Sequence, residues 1–264
     1  MKKLIALLMA MTMMFCVTAC GGKAEKTDLE YVKEKGTLVV GITDFAPMDY
    51  KDENGNWVGF DAELATAFAE SIGVEVEFVE IEWGKKILEV QGKSIDCVWN
   101  GMTLTQEVIE GMDCSNAYCN NVQVVVMPAS EADKYQTIES LSGLTFAVES
   151  GSAGEAEALK NHFNVVAPVK DQATALMEVK SGTSDATIID YLMASAMVGE
   201  GTSYADLTYT VVLNEEEGEE YGVGFRKGSN LDEALNEFFK DAYEDGSMLE
   251  IAERYNIKDR VIAQ

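Results

Sequence analysis

The stretch Ile95-Asp96-Cys97-Val98-Trp99-Asn100-Gly101-Met102-Thr103-Leu104-Thr105-Gln106-Glu107-Val108 changes character twice in fourteen residues. It begins as an apolar run that reads as a buried strand, passes through a short polar tip, and ends in a helix start. Thr105 is placed to cap that helix, with Gln106 and Glu107 in its first turn. Asn100, Gly101 and Thr103 then fall at the carboxyl end of the strand, where open α/β sheets place their ligands. A strand that must be covered on both faces commits the chain to a layered α/β architecture.

The rest of the chain repeats the alternation. Thr37 to Ile42 is a β-rich run, and a helix is expected from about Asp61 to Ile72, where Leu64, Phe68 and Ile72 share one face and Gly73 ends it. Val74, Val76 and Phe78 alternate with Glu75, Glu77 and Glu80, the pattern of a half-exposed strand near an edge. A helix over about 85–92 precedes the opening strand, and Asn121 to Met127 forms another strand that Pro128 closes. The pattern then restarts. A strand at 144–148 leads to a helix at 152–162 with Ser152 and Glu155 in capping-box spacing. Further strands are expected at 165–166, 186–189, 208–213 and 221–225, with helices at 171–180, from Tyr191, at 231–243 and at 248–255. This predicts two doubly wound α/β lobes, and no Pro- or Ser-rich linker separates them, so the lobes share strand-like crossings at 119–123 and 217–221.

The first nineteen residues read as a signal peptide: Lys2 and Lys3 precede an apolar run from Leu4 to Val17, shorter than the ~20 residues of a membrane span. Val17-Thr18-Ala19-Cys20 resembles a bacterial lipobox, which implies cleavage before Cys20, lipidation of its sulfur and an extracytoplasmic, lipid-anchored location. The polar residues after it suit a tether, assigned to 20–35. Loss of Lys2 and Lys3 leaves 18 basic against 46 acidic residues, a formal charge of −28 where the whole sequence carries −26. A chain this acidic is repelled by nucleic acid and anionic lipid, which excludes polyanionic partners.

Cys97 sits inside the apolar strand as a core residue. Cys114 and Cys119 pair only if their geometry allows, and three thiols make no disulfide framework. The one histidine, His162, lies far from them and suits a surface position, so no metal site is expected. No Ser-His-acid or Cys-His spacing suggests a nucleophile, and no cofactor motif is present.

The motifs in register resemble the extracellular solute-binding proteins of polar amino-acid ABC importers, bacterial family 3. They are Leu38-Val39-Val40-Gly41, Phe45-Ala46-Pro47-Met48, Gly55-Asn56-Trp57-Val58-Gly59-Phe60-Asp61-Ala62-Glu63-Leu64 and Gly101-Met102-Thr103-Leu104-Thr105. Met112-Asp113-Cys114-Ser115-Asn116-Ala117-Tyr118, Leu141-Ser142-Gly143-Leu144, Tyr221-Gly222-Val223-Gly224-Phe225-Arg226-Lys227-Gly228 and Asp245-Gly246-Ser247 complete the set. The resemblance spans Gly36 to Tyr255. It implies a monomer with lobe 1 at 36–118 and 222–264 and lobe 2 at 123–217, closing on a small amino-acid-like or amine solute and docking on a membrane permease. It implies no catalysis, although cyclohexadienyl dehydratases resemble the same family and a sensor partner would look alike.

By the same resemblance, Phe45 and Trp83 are aromatic walls around the ligand side chain. Asn100, Gly101 and Thr103 belong to the segment that meets its amino and carboxylate groups through backbone and hydroxyl, and Asp44 lies close to an acidic family position. In lobe 2, the amides of Glu149-Ser150-Gly151-Ser152-Ala153-Gly154, at a helix start, can hold a carboxylate or form a capped turn. Asp190 either pairs with the ligand's ammonium or caps the helix from Tyr191. The family arginine that forks onto the ligand carboxylate falls on Val108, and Glu149 stands where some members are basic. Both departures favour a cation, because aromatic faces with carboxylates suit one and only arginine supplies that bidentate fork.

Overall fold

The computed structural model describes residues 26–216 and 218–264. The signal segment and Cys20 lie outside the described residues. The 20–35 tether is shortened at its far end, because Asp28–Lys35 is a helix, α1. Thr27 and Glu30 form a reciprocal capping box at its start, and Gly36 closes it in the left-handed conformation. Val32 on its inner face is fully buried, so this turn of chain belongs to the folded body.

The first sheet is built from β1 (Thr37–Ile42), β4 (Glu75–Glu80), β5 (Cys97–Thr103), β6 (Asp113–Cys114), β7 (Cys119–Asn121) and β13 (Glu219–Phe225). A small hairpin of β2 (Tyr50–Lys51) and β3 (Trp57–Val58) stands beside it. Its order is β4-β1-β5-β13-β6, with β7 also on β13. Strands β1, β4 and β5 are parallel, and β13 runs against β5, β6 and β7. The half-exposed strand is the edge strand β4, as its alternation requires. Helices α2 (Phe60–Ile72), α3 (Lys86–Gln91), α4 (Gln106–Gly111), α8 (Leu231–Glu244) and α9 (Ser247–Arg254) belong to this half of the chain. Its core centres on Trp99, stacked edge-on against Phe239 at 5.5 Å, with Tyr118 5.4 Å from the same ring.

The second sheet comprises β8 (Gln123–Pro128), β9 (Thr145–Glu149), β10 (Asn164–Val169), β11 (Ala186–Asp190) and β12 (Leu207–Val212), in the order β10-β9-β11-β8-β12. Its helices are α5 (Ala153–Lys160), α6 (Gln172–Ser181) and α7 (Tyr191–Met197). Here too the first parallel strand lies between the second and third, so each sheet has a switch point, β1/β5 in one and β9/β11 in the other. Helices leave in opposite directions at such a point and open a crevice beyond the strand ends.

One expectation is corrected. The single strand read over 121–127 is two, because the chain leaves the first sheet at Asn121 and joins the second at Gln123. Asn100, Gly101 and Thr103 fall at the carboxyl end of β5, as expected, with β13 paired alongside as far as Tyr221 opposite Thr103.

Candidate functional site

Both crevices open on one cavity of about 250 Å3. From the first half of the chain it is lined by Phe45, Trp83, Lys86, residues 100–103 and residues 105–108; from the second, by Glu149, residues 151–153, Ala156, Gln172 and Asp190. Glu149 ends β9 and Asp190 ends β11, the two strands of the second switch point. A strand-end carboxylate from each therefore enters the cavity side by side.

Asp190 is 5% exposed and accepts from Tyr221 Oη at 2.5 Å, Asn121 Nδ2 at 2.5 Å, Gln123 Nε2 at 3.1 Å and the Gln172 side-chain amide. It makes no side-chain cap on α7, so the capping role expected of it is not the one it plays. Burial, then the charge of Glu219, pushes its carboxyl up to about 7. Glu219 shares the network, accepting from Gln123 at 2.9 Å, Asn121 at 3.0 Å and Thr103 Oγ1 at 3.2 Å. Glu149 is 2% exposed and differs sharply: its Oε1 has no hydrogen-bond partner among the described residues. Burial and the charges of Asp190 and Asp171 hold its carboxyl well above the usual range.

The opposite wall is apolar and aromatic. Phe45 and Trp83 are buried on it, and Val108 is 3% exposed in one apolar cluster with Trp83 and Met102. Thr105 Oγ1 caps α4 by accepting from Val108 N–H at 3.2 Å. Gly101 has φ +52°, and a Cβ there would stand 2.4 Å from the Phe45 ring, so only glycine lets the aromatic wall lie this close to the strand.

Asn100 lines the cavity, but its side chain is already committed. Its Oδ1 accepts from Thr43 N–H at 2.9 Å and Thr43 Oγ1 at 2.8 Å, while Nδ2 donates to Thr43 O at 3.1 Å and Asp49 Oδ2 at 2.7 Å. Thr103 lines the cavity with its hydroxyl donated to Glu219. Asp44 is exposed and lines a different depression, with Tyr50 and Met193. Ser150 is also outside the cavity, in a groove with Gly84 and Lys85. Ser152 lines the cavity and caps α5, its Oγ accepting from Glu155 N–H at 3.0 Å.

The expected amide nest is partly spent. Ser150 N–H donates to Val169 O at 3.0 Å, Gly151 N–H to Glu155 at 2.8 Å and Ser152 N–H to Glu149 O at 3.2 Å. Gly154 is seated against the second sheet, where a Cβ would lie 2.6 Å from Ile188 O.

Lys86 was not read from the sequence. It is 9% exposed, its ammonium lies 4.8 Å from the centre of the Trp83 ring, and it donates to Gly151 O at 2.9 Å. A lysine at a helix start normally reads as solvated surface. Its spacing of three from Trp83 is the signal that places an ammonium over an indole. Gln172, Gln123 and Asn121 were missed as well, because only the tertiary fold turns them toward Asp190. Cys97, Cys114 and Cys119 are free thiols, and His162 is exposed.

Comparison with known proteins follows the same outline. The model of the bacterial extracellular solute-binding proteins, family 3, matches residues 38–258. The arginine-binding extracellular protein ArtP of Bacillus subtilis is 31% identical over 261 residues, 97% of this chain and 98% of that protein. An ABC uptake transporter substrate-binding protein from Streptococcus pneumoniae with bound histidine superposes with a TM-score of 0.80 at 28% identity, covering 89% of this chain and 98% of that one. The cyclohexadienyl dehydratase of Pseudomonas aeruginosa is 26% identical over 194 residues, 71% of this chain and 72% of that enzyme. With its two switch points facing one cavity, the chain belongs to the bacterial extracellular solute-binding proteins, family 3.

Proposed function

We propose that the solute this binding protein captures for its ABC importer carries a cationic group, an amine or guanidine, held between Glu149 and Asp190. The observation that carries the reading is the unpaired, buried Oε1 of Glu149 beside Asp190 in the cavity. Two carboxylates in one desolvated space repel, and leaving a buried acceptor unpaired costs about 1–3 kcal/mol. A cation relieves both, and the faces of Phe45 and Trp83 favour it further. Valine at 108 takes away the fork that would fasten a ligand carboxylate on that side.

In this reading the lobes, 36–118 with 222–264 and 123–217, close about the crossings at 119–123 and 217–221, and Asp44 and Ser150 serve the rim rather than the ligand. The loaded, monomeric form docks on the permease, and Cys20 holds the chain to the membrane by its lipid. Capture rather than catalysis is assigned to the site, whose acids suit a dicarboxylate substrate poorly.

Calorimetry with amino acids and their decarboxylated amines tests this. Arginine, lysine or ornithine, or agmatine, cadaverine or putrescine, should bind, and glutamate should not. Binding confined to neutral or acidic amino acids overturns the reading, and turnover of prephenate or arogenate overturns its non-catalytic part.

A further inference from the structure

We infer that Lys86 is the anion-binding residue of this site, supplying from α3 the positive charge that the family arginine would have brought to position 108, so that the ligand is a cationic amino acid rather than a bare amine. This rests on the reading of Glu149 and Asp190 as the cation subsite.

Among the described residues lining the cavity, Glu107, Glu149 and Asp190 are acids and Lys86 is the sole cation. Lys86 shares the aromatic wall with Trp83 and Val108, facing the strand ends that carry Glu149 and Asp190. Its ammonium has three donors. One is given to Gly151 O at 2.9 Å, and Trp83 O at 3.4 Å takes a long second contact, which leaves donor capacity for the cavity. The alternative seat for a carboxylate, the amides of 150–154, has its first three members committed within the second half of the chain. Burial lowers the Lys86 pKa, and the nearby Glu107 and Glu149 charges oppose that fall. A ligand carboxylate against the ammonium favours its charged form in the same way. Lys86 also touches both halves of the chain, where a Cβ on Gly151 would lie only 2.6 Å from Gly84 Cα. An anion drawn to Lys86 is thus bound where the two halves meet.

The test uses matched pairs that differ only by the carboxylate: arginine and agmatine, lysine and cadaverine, ornithine and putrescine. Calorimetry on the wild-type chain should give at least a tenfold preference for the amino acid in the pair that binds. Lys86→Met should weaken the amino acid alone and bring the ratio to within about twofold, while Lys86→Arg should keep the preference. Thermal melts of both variants establish that they fold. A Lys86→Met ratio equal to wild type, or a wild-type chain that binds the amine as tightly as the amino acid, overturns the inference. Glu149→Gln separates the two readings. It should weaken both members of a pair; if it weakens neither, or if no pair binds at all, the cation subsite itself is wrong and this inference falls with it.

Discussion

Two acid pairs flank the cavity, and they differ in what they face. Asp49 and Asp61 lie behind the aromatic wall, both fully buried. Asp61 Oδ2 accepts from Gly101 N–H at 2.6 Å and Tyr118 Oη at 2.8 Å, and Asp49 holds the Asn100 amide. Asp190 and Glu219 lie at the crossing between the sheets, and Asp190 lines the cavity itself. Burial is the largest cause raising the pKa in all four, and Asp61 and Asp190 each reach about 7. Equal perturbation therefore does not mean equal role. The first pair shapes β5, fixing the backbone of Gly101 and the side chain of Asn100, while in the proposed reading Asp190 of the second presents charge to the ligand.

The sharpest way to break this contrast is Asp61→Ala. It leaves the Gly101 N–H and the Tyr118 hydroxyl without their acceptor, at about 1–3 kcal/mol for each buried group. Urea unfolding should show a loss of about 3 kcal/mol, larger than for Asp190→Asn, which keeps a hydrogen-bonding side chain in place. The ligand titration should reverse the order. Asp190→Asn should lower affinity for the cationic ligand at least tenfold, about 1.4 kcal/mol, and calorimetry reads it directly. A stability loss confined to Asp190→Asn would mean the two pairs had been assigned the wrong way round.

Acidity offers a smaller, two-sided test. Between an unfolded value near 3.8 and about 7 the native chain binds more protons at Asp61 and Asp190 than the unfolded chain does. Stability from these groups is fully present below that window and is lost as pH rises through about 7, so the ligand-free melting temperature should fall from pH 5 to pH 7.5. Affinity for a cation runs the opposite way, because only ionised Asp190 attracts it, and should rise severalfold over the same range. Asp190→Asn should flatten the rise in affinity, with Glu107, Glu149 and Glu219 as the remaining acids beside the site. Asn in place of Asp61 should flatten part of the stability slope and leave the affinity slope intact.

Much of the fold was legible because its signals are local. The Thr105 cap, the glycine stop after α2, the edge character of β4 and the Ser152–Glu155 spacing each depend on residues within a few positions. That Glu149 and Asp190 end apolar strands was legible for the same reason, while their expected ligand roles came from the family resemblance. Asn100 shows where such reading stops. Its segment was expected to meet ligand through backbone and hydroxyl, but nothing local shows that Thr43 and Asp49, more than fifty positions earlier, consume its side-chain amide. Asp44 and Ser150 sit one residue from cavity-lining neighbours and face elsewhere, a distinction set by backbone direction rather than residue type.

The sequence by itself determined the order of strands and helices, the doubly wound architecture and the loss of arginine at 108, because periodicity, caps and single residue identities are written along the chain. Only the tertiary structure decided which polar groups remain free to meet a ligand. That depends on which donors the fold has already spent: it leaves Glu149 Oε1 unpaired, satisfies Asn100 completely, and carries Lys86 from an ordinary helix start to the wall of the cavity.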